Sequence, residues 1–262
     1  MTPSRPAPLI ALLTDFGTRD WYVAAVRGVI LSRCPNARLV DITHEIPPQD
    51  VIAGAFTLAA AAPWFPPGTI FLSIVDPGVG SDRALLAARA DARYFVGPDN
   101  GLLSLTLAEA KRLTVVRLTR RRYWLRTVSS TFHGRDIMAP VAAHLASGVP
   151  LTRLGVAWRR PASLDLPAVE RHGRTFTGHL AHLDAFGNLI TNLPGSLLKS
   201  GSSIRYQRHA VRVVSSYAEG RPQELVALVN ALGLVELAIR EGSAAWTYNA
   251  KRGERVELHR AA

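Results

Sequence analysis

The sequence predicts an α/β N-terminal domain, a layered sheet with flanking helices, followed by an all-β C-terminal domain of barrel-like form. Two observations carry this. Strand and helix signals alternate through residues 9–155, the pattern of a layered α/β domain. After a polar stretch over 156–172, marked by Pro161 and Pro167 and read as a linker, residues 173–262 hold short strands with few helix signals, as in a barrel or sandwich.

Leu9 to Leu13 is an apolar run ending in Thr14-Asp15-Phe16-Gly17. From Trp21 to Ser32, Val23, Val26, Val29 and Ile30 recur at the spacing of one buried helical face, and Pro35-Asn36 ends the pattern. Arg38 to Ile42 reads as a strand, and Val51 to Ala62 as a helix stopped by Pro63. Thr69 to Val75 is a β-rich strand running into Asp76-Pro77-Gly78-Val79-Gly80. Leu85 to Ala90 and Tyr94 to Val96 follow as strands. Pro98-Asp99-Asn100-Gly101 is a turn leading to a helix near Leu105, and Ile137 to Ser147 is a further helix. Beyond the linker, strands are expected at 174–183, 189–192, 203–206, 210–214, 224–229, 234–239 and 255–258. No repeat or low-complexity tract appears.

Composition narrows the function classes. Of 262 residues 48% are hydrophobic and 19% charged, which describes a globular chain able to bury a core. Cys34 is the single cysteine, so no intrachain disulfide forms and a cytoplasmic location is expected. No run of about 18 apolar residues suggests a membrane span, and Met1 to Pro8 lacks the apolar segment of a signal peptide and reads as a frayed tail. The net charge is +11, almost all of the basic residues being Arg in an Ala-rich chain, as a composition bias produces. The densest basic stretch, Arg117 to Arg126, lies beside Tyr123 and Trp124. It reads as a solvated strand edge or an anion-attracting rim rather than a nucleic-acid site.

Four segments carry residue types suited to chemistry. In open α/β sheets ligands bind beyond the carboxyl ends of strands. Asp15 and Asp76 each follow directly on a predicted strand, so both belong to one rim. In Asp76-Pro77-Gly78-Val79-Gly80-Ser81-Asp82-Arg83 a tight loop begins with a carboxylate and ends with a permanently charged guanidinium that can hold it or stabilise an anion; a plain turn with an ion pair is the alternative. In Thr131-Phe132-His133-Gly134-Arg135-Asp136 the histidine suits a general base or a local cap, and Arg135 and Asp136 suit pairing or capping. Asp184-Ala185-Phe186-Gly187-Asn188 combines a carboxylate, a ring and an amide, suited to a nucleoside or to an ordinary turn. Asp15 suits ribose hydroxyls or a helix cap. His44, His133, Asp15, Asp41 and Asp76 lack metal-ligand spacing, so no metal is expected. No P-loop or G-x-G-x-x-G is present, and Ser129 and Ser130 lack a nucleophile elbow.

Together the blocks LLTDFGTRDWYVAAVRGVI, DITHEIPPQDV, FLSIVDPGVGSDR, YFVGPDNGLL, STFHGRDIMAPVAAHLASG, HLDAFGNLITN and GLVELA resemble, in order and over roughly residues 12–238, the S-adenosylmethionine hydroxide adenosyltransferase family, relatives of the fluorinases and chlorinases. The resemblance implies hydrolysis of S-adenosylmethionine (SAM) to adenosine and methionine, with no cofactor. It implies a homotrimer with the ligand between the N-domain of one subunit and the C-domain of the next. It assigns the water site to Asp76, Arg83 and His133, ribose to Asp15, and adenosine or methionine contacts to Asp184, Phe186 and Asn188, with Phe132 lining the pocket. Adenine contacts through the backbone of the segment holding Ser243 and Ala244 are also implied. Ala231 and Ser243 depart from the residues common in the family, serine and asparagine. Halogenating relatives carry other residues at Asp76 and His133, and a fluoride-holding serine falls at Gly134, so the sequence resembles the water-using branch. The other readings are halide-dependent cleavage of the same substrate, a nucleoside- or nucleic-acid-binding protein without catalysis, and a metal-dependent hydrolase.

Overall fold

The computed structural model describes residues 7–261, so most of the stretch read as a frayed tail lies outside the described residues. The chain divides into two compact units, 1–164 and 165–262.

The first unit is built on a seven-stranded sheet. Its strands are β1 (Leu9–Thr14), β2 (Arg38–Thr43), β3 (Ile70–Ile74), β4 (Leu85–Ala90), β5 (Arg93–Pro98), β6 (Leu113–Leu118) and β7 (Gly155–Ala157), in the order β2-β1-β3-β5-β4-β6-β7. The β1–β2, β1–β3 and β3–β5 pairs are parallel, and the pairs of β4, β6 and β7 are antiparallel. Side chains alternate faces along a strand, and the core divides accordingly. Ile10, Leu12 and Leu72 point to one side, where they meet α1 (Tyr22–Arg33) and, through Met138 to Leu145, α4 (Ala139–Ala146). Ala11, Leu13 and Phe71 point to the other, against α2 (Val51–Ala61) and α3 (Ser104–Ala108). A sheet covered on both faces needs near-continuous apolar strands, which is why β3 is buried at every position. β6 was not anticipated from the sequence: its outer positions Leu113, Thr114 and Arg117 are exposed, and the basic residues around it masked its alternation. The helix expected from Ile137 opens instead as a π-helical turn, Gly134–Met138, that runs into α4.

The second unit is a closed barrel. Strands β9 (Thr175–Leu183), β10 (Leu189–Pro194), β11 (Ser203–Tyr206), β12 (His209–Val213), β13 (Leu225–Val229), β14 (Leu234–Ile239) and β15 (Arg255–His259) follow the circuit β10-β14-β13-β12-β11-β15-β9, and β9 pairs back onto β10. β8 (Glu170–His172) adds to the outside of β9. Closure depends on β9, which pairs with β15 over Thr175–His179 and with β10 from Leu180 onward. At the junction sits Gly178, where an added Cβ would lie 2.4 Å from Leu193 Cγ and 2.6 Å from Asn192 Oδ1. The barrel is filled by Phe176, Leu189, Ile204, Tyr206, Leu237 and Val256 and their neighbours. A four-residue helix, α5 (Ala244–Thr247), follows β14. Among the described residues, no helix is long and apolar enough to cross a membrane.

Gly178→Ala is expected to cost about 1–3 kcal/mol, because overpacking forces backbone shifts at the closure point. Gly28→Ala, inside α1 with open space around its Cβ, is expected to add about 0.5–1 kcal/mol. Urea unfolding midpoints at constant m-value check both, and equal midpoints for the two variants would refute the packing account.

Candidate active site

Thr14 ends β1 and Ile74 ends β3, and the two residues are paired in register, so the carboxyl ends of adjacent parallel strands open onto the same rim. Asp15 and Asp76 follow them, as the sequence reading requires. Asp76 begins a loop shaped by backbone bonds from Val79 to Asp76 (3.2 Å) and from Ser81 to Gly78 (3.1 Å). The loop returns Arg83 to Asp76, whose two carboxylate oxygens accept from Nε and Nη2 of the guanidinium. Both side chains are almost buried, at 9% exposure for Arg83 and 6% for Asp76. Paired in this fork, each is the counter-charge that makes burial of the other tolerable.

Arg83 Nη2 also lies 3.2 Å from His133 Nδ1. A guanidinium only donates, so Nδ1 accepts and the ring proton of neutral His133 stands on Nε2. The histidine stands at the N-cap, immediately before the π turn, but makes no side-chain capping bond. Burial pushes its pKa below 6.5, the Arg83 charge pushes the same way, and Asp76 and Asp136 pull it back up. The unfolded chain therefore takes up a proton first as pH falls through 6.5, and stability declines in that direction.

Surrounding loops lock this trio. Gly80, at φ +85°, sits where a Cβ would be 2.7 Å from the Ser130 carbonyl oxygen, which joins the Asp76 loop to the His133 loop. Asp136, fully buried, accepts from Arg135 Nε (2.6 Å), Arg135 Nη2 (3.0 Å) and the Ser129 amide (2.8 Å). Arg135 also lies 5.0 Å over the Phe132 ring. Phe132 is itself buried and packs edge-on against Phe16, Trp21 and Tyr22, leaving Trp21 57% and Tyr22 39% exposed on the rim. Asp15 caps no helix. Its Oδ2 accepts from the Gln49 amide at 2.9 Å, and Gln49 takes φ +66°, a strained conformation for a non-glycine residue. Burial raises the Asp15 pKa above 3.8, the Gln49 bond lowers it, and the Asp76 charge adds to the rise, which sets the two carboxylates within electrostatic reach. Trp21, Tyr22 and Gln49 were missed from sequence; the Asp20-Trp21-Tyr22 run and the Pro47-Pro48-Gln49 turn were the available signals.

In the second unit, Asp184 folds its turn around itself, accepting from the Phe186 and Asn188 amides at 2.9 Å and from Asn188 Nδ2 at 3.0 Å. Phe186 is left 80% exposed. Ser243 Oγ caps α5 by accepting from the Trp246 amide at 3.1 Å, and the Ala245 amide donates to Gly187 O at 2.9 Å. The two turns therefore form one surface carrying Phe186 and Trp246, the latter 85% exposed, while Ala244 is buried and offers only its backbone. Among the described residues no three His, Cys, Asp or Glu side chains gather as metal ligands. His44 is engaged by Thr14 Oγ1 at 2.8 Å and by Asp41 at 3.1 Å.

Residues 10–155 match the model of the SAM hydroxide adenosyltransferase N-terminal domain, and residues 178–257 that of its C-terminal domain. The chain belongs to the SAM hydroxide adenosyltransferase family. A relative from Salinispora tropica named (R)-S-adenosyl-L-methionine hydrolase is 40% identical, the match covering 97% of this chain and 98% of that one. A fluorinase from an Actinoplanes species is 27% identical over 99% and 100% of the two chains, a more distant member of the same group. A crystal structure of a conserved protein from Thermotoga maritima superposes at a TM-score of 0.89 with 33% identity, covering 96% of this chain and all of that one. The family match spans both units.

Arg83→Met is expected to raise the His133 pKa, since a repelling cation is removed. Asp76→Asn is expected to lower it, since an attracting anion is removed. NMR titration of the His133 ring reads both, and shifts of the same sign in the two variants would refute the coupling.

Proposed function

We propose that this member of the family hydrolyses SAM to adenosine and L-methionine by attack of water on C5′. The observation that carries this is the Asp76–Arg83–His133 trio at the carboxyl rim of β1 and β3, built on an almost buried ion pair. The name of the Salinispora relative supports the same reaction.

The sulfonium leaves easily: as the new C5′–O bond forms, the C5′–S bond breaks and its electron pair stays on sulfur, giving neutral methionine. The difficulty is the nucleophile. One water must be held in line with the C5′–S bond and must lose a proton as it attacks. Asp76 retains lone pairs not taken by Arg83, whereas the one lone pair of neutral His133 already accepts from Arg83. The proton therefore passes to Asp76, or to His133 once its Nδ1 leaves Arg83, and the two act as one coupled unit. Arg83 holds the carboxylate in place and stabilises hydroxide character on the attacking oxygen. Asp15, braced by the Gln49 amide, binds the ribose hydroxyls, with the pocket wall resting on Phe132. Asp184, Phe186 and Asn188 bind the nucleoside and methionine, and the Ser243–Ala244 segment meets the adenine edge through its backbone. No cofactor takes part, because the substrate's own sulfonium supplies the electrophile. The exposed rings of Trp21 and Tyr22 in one unit and Phe186 and Trp246 in the other support a homotrimer with active sites at subunit boundaries. The buried free thiol of Cys34 supports a cytoplasmic enzyme.

The test is turnover of SAM by chelator-treated protein in ¹⁸O-water containing chloride. The expected product is adenosine labelled at the 5′ oxygen. Chlorodeoxyadenosine would overturn the proposal in favour of halide-dependent cleavage, and loss of turnover on chelation would favour a metal-dependent hydrolase.

His133→Ala and Asp76→Ala are expected to lower kcat by about 10²–10⁴-fold with a much smaller change in KM. The acid limb of the kcat profile is expected below pH 6.5, where His133 protonates. Equal losses in kcat and in substrate affinity would remove these residues from the chemistry.

A further inference from the structure

The positive charge of this protein is concentrated in one part of the chain. Between Ala110 and Leu164 there are eleven basic residues and one acid, Asp136; the remainder holds twenty basic and nineteen acidic residues and is nearly balanced. A composition bias toward arginine would act on the whole chain, so it does not account for this asymmetry. The one acid in the segment is buried and already paired with Arg135. The segment includes β6 and β7, the two strands at one edge of the sheet.

At that edge two short turns, Arg121–Tyr123 and Leu151–Arg153, face each other. They are pinned by the Thr119 and Arg120 amides, which both donate to the Leu154 carbonyl, at 3.4 and 3.3 Å. Between them lies an open hollow of about 620 Å³ lined by Thr119, Arg120, Arg121, Arg122, Thr152 and Arg153. Four arginines and two threonines thus line it, with no acidic residue among them. Elsewhere Arg27, Arg83, Arg135, Arg212 and Arg240 each have an acidic partner. Among the described residues none of the four around the hollow has one. Two are instead oriented on aromatic faces: Arg122 stands 4.8 Å over Tyr123 and Arg121 5.8 Å over Trp124. Like charges gathered round one hollow repel, and a multivalent anion relieves that repulsion. Arginine forks and threonine hydroxyls on a fixed backbone match phosphate oxygens in shape and in hydrogen-bond polarity.

We propose that this hollow binds a ligand carrying several adjacent phosphate groups. The substrate does not explain it. On the proposed function, SAM carries a sulfonium and an ammonium against one carboxylate and is a net cation, so this edge repels it.

The test is calorimetric titration of the full-length protein with inorganic triphosphate at low salt. Saturable binding of one triphosphate per chain is expected, weakening as salt rises. Arg121→Ala/Arg153→Ala is expected to weaken it by about tenfold or more, since each hydrogen bond to a charged group contributes on the order of a decade in affinity. Arg205→Ala/Arg208→Ala, which removes two exposed arginines of the barrel, is expected to leave binding unchanged. A short single-stranded RNA identifies the source of the phosphates. Tighter RNA binding that triphosphate displaces marks a phosphodiester chain as the ligand, and RNA binding no tighter than triphosphate marks a free polyphosphate. Absence of saturable binding, or equal loss in both double variants, would overturn the proposal. An unchanged thermal unfolding midpoint by circular dichroism, expected for Arg121→Ala/Arg153→Ala, shows that the variant is folded. Because binding is read directly, a protein that does not hydrolyse SAM leaves this result standing.

Discussion

The ion pair between Arg83 and Asp76 is the constraint on which the site is built. Neither charge can be buried at the end of a hydrophobic strand without the other. The pairing closes the Asp76 loop, and the closed loop presents Gly80 to the Ser130 carbonyl. The guanidinium, having satisfied the carboxylate, still has an N–H to direct at His133. That single donor fixes the histidine tautomer, and the Arg83 charge adds to burial in holding the ring neutral. One salt bridge therefore sets loop shape, loop-to-loop contact and protonation state together.

The strand rim explains why such a cluster is possible. β1 and β3 are parallel neighbours, and their carboxyl ends deliver two carboxylates at one level. The π turn before α4 brings His133 to the same level from the other side of the sequence. Asp136 and Arg135 form a second ion pair, which does not enter the proposed chemistry and which fastens the His133 loop through Ser129 and Phe132. The site thus contains one pair facing the reaction and another maintaining its frame.

Much of this was legible in the sequence because local and global signals agree. β1, β3 and the barrel strands follow from apolar runs bounded by turn residues, and the strand-terminal positions of Asp15 and Asp76 follow from them. The convergence of Asp76 with Arg83 was readable because only seven positions and two glycines separate them. β6 was hidden, since an edge-proximal strand with one solvated face and flanking arginines loses its apolar signature. Gln49 was hidden for another reason. It acts through a backbone amide presented by an unusual φ, and no side-chain pattern announces that. The aromatic cluster of Phe16, Trp21, Tyr22 and Phe132 joins residues more than a hundred positions apart, which only the folded sheet brings into contact.

The π turn at Gly134–Met138 carries a consequence for how this protein can change over evolutionary time. A π turn is a helical turn holding one surplus residue. Removing that residue would restore an ordinary helix and rotate everything before it by about 100° about the axis, carrying the His133 ring away from Arg83. The stretch from Phe132 to α4 is therefore fixed in length. Divergence among descendants of this chain is confined there to substitutions, and any lineage that gained or lost a single codon in it would have to rebuild its water site from other residues.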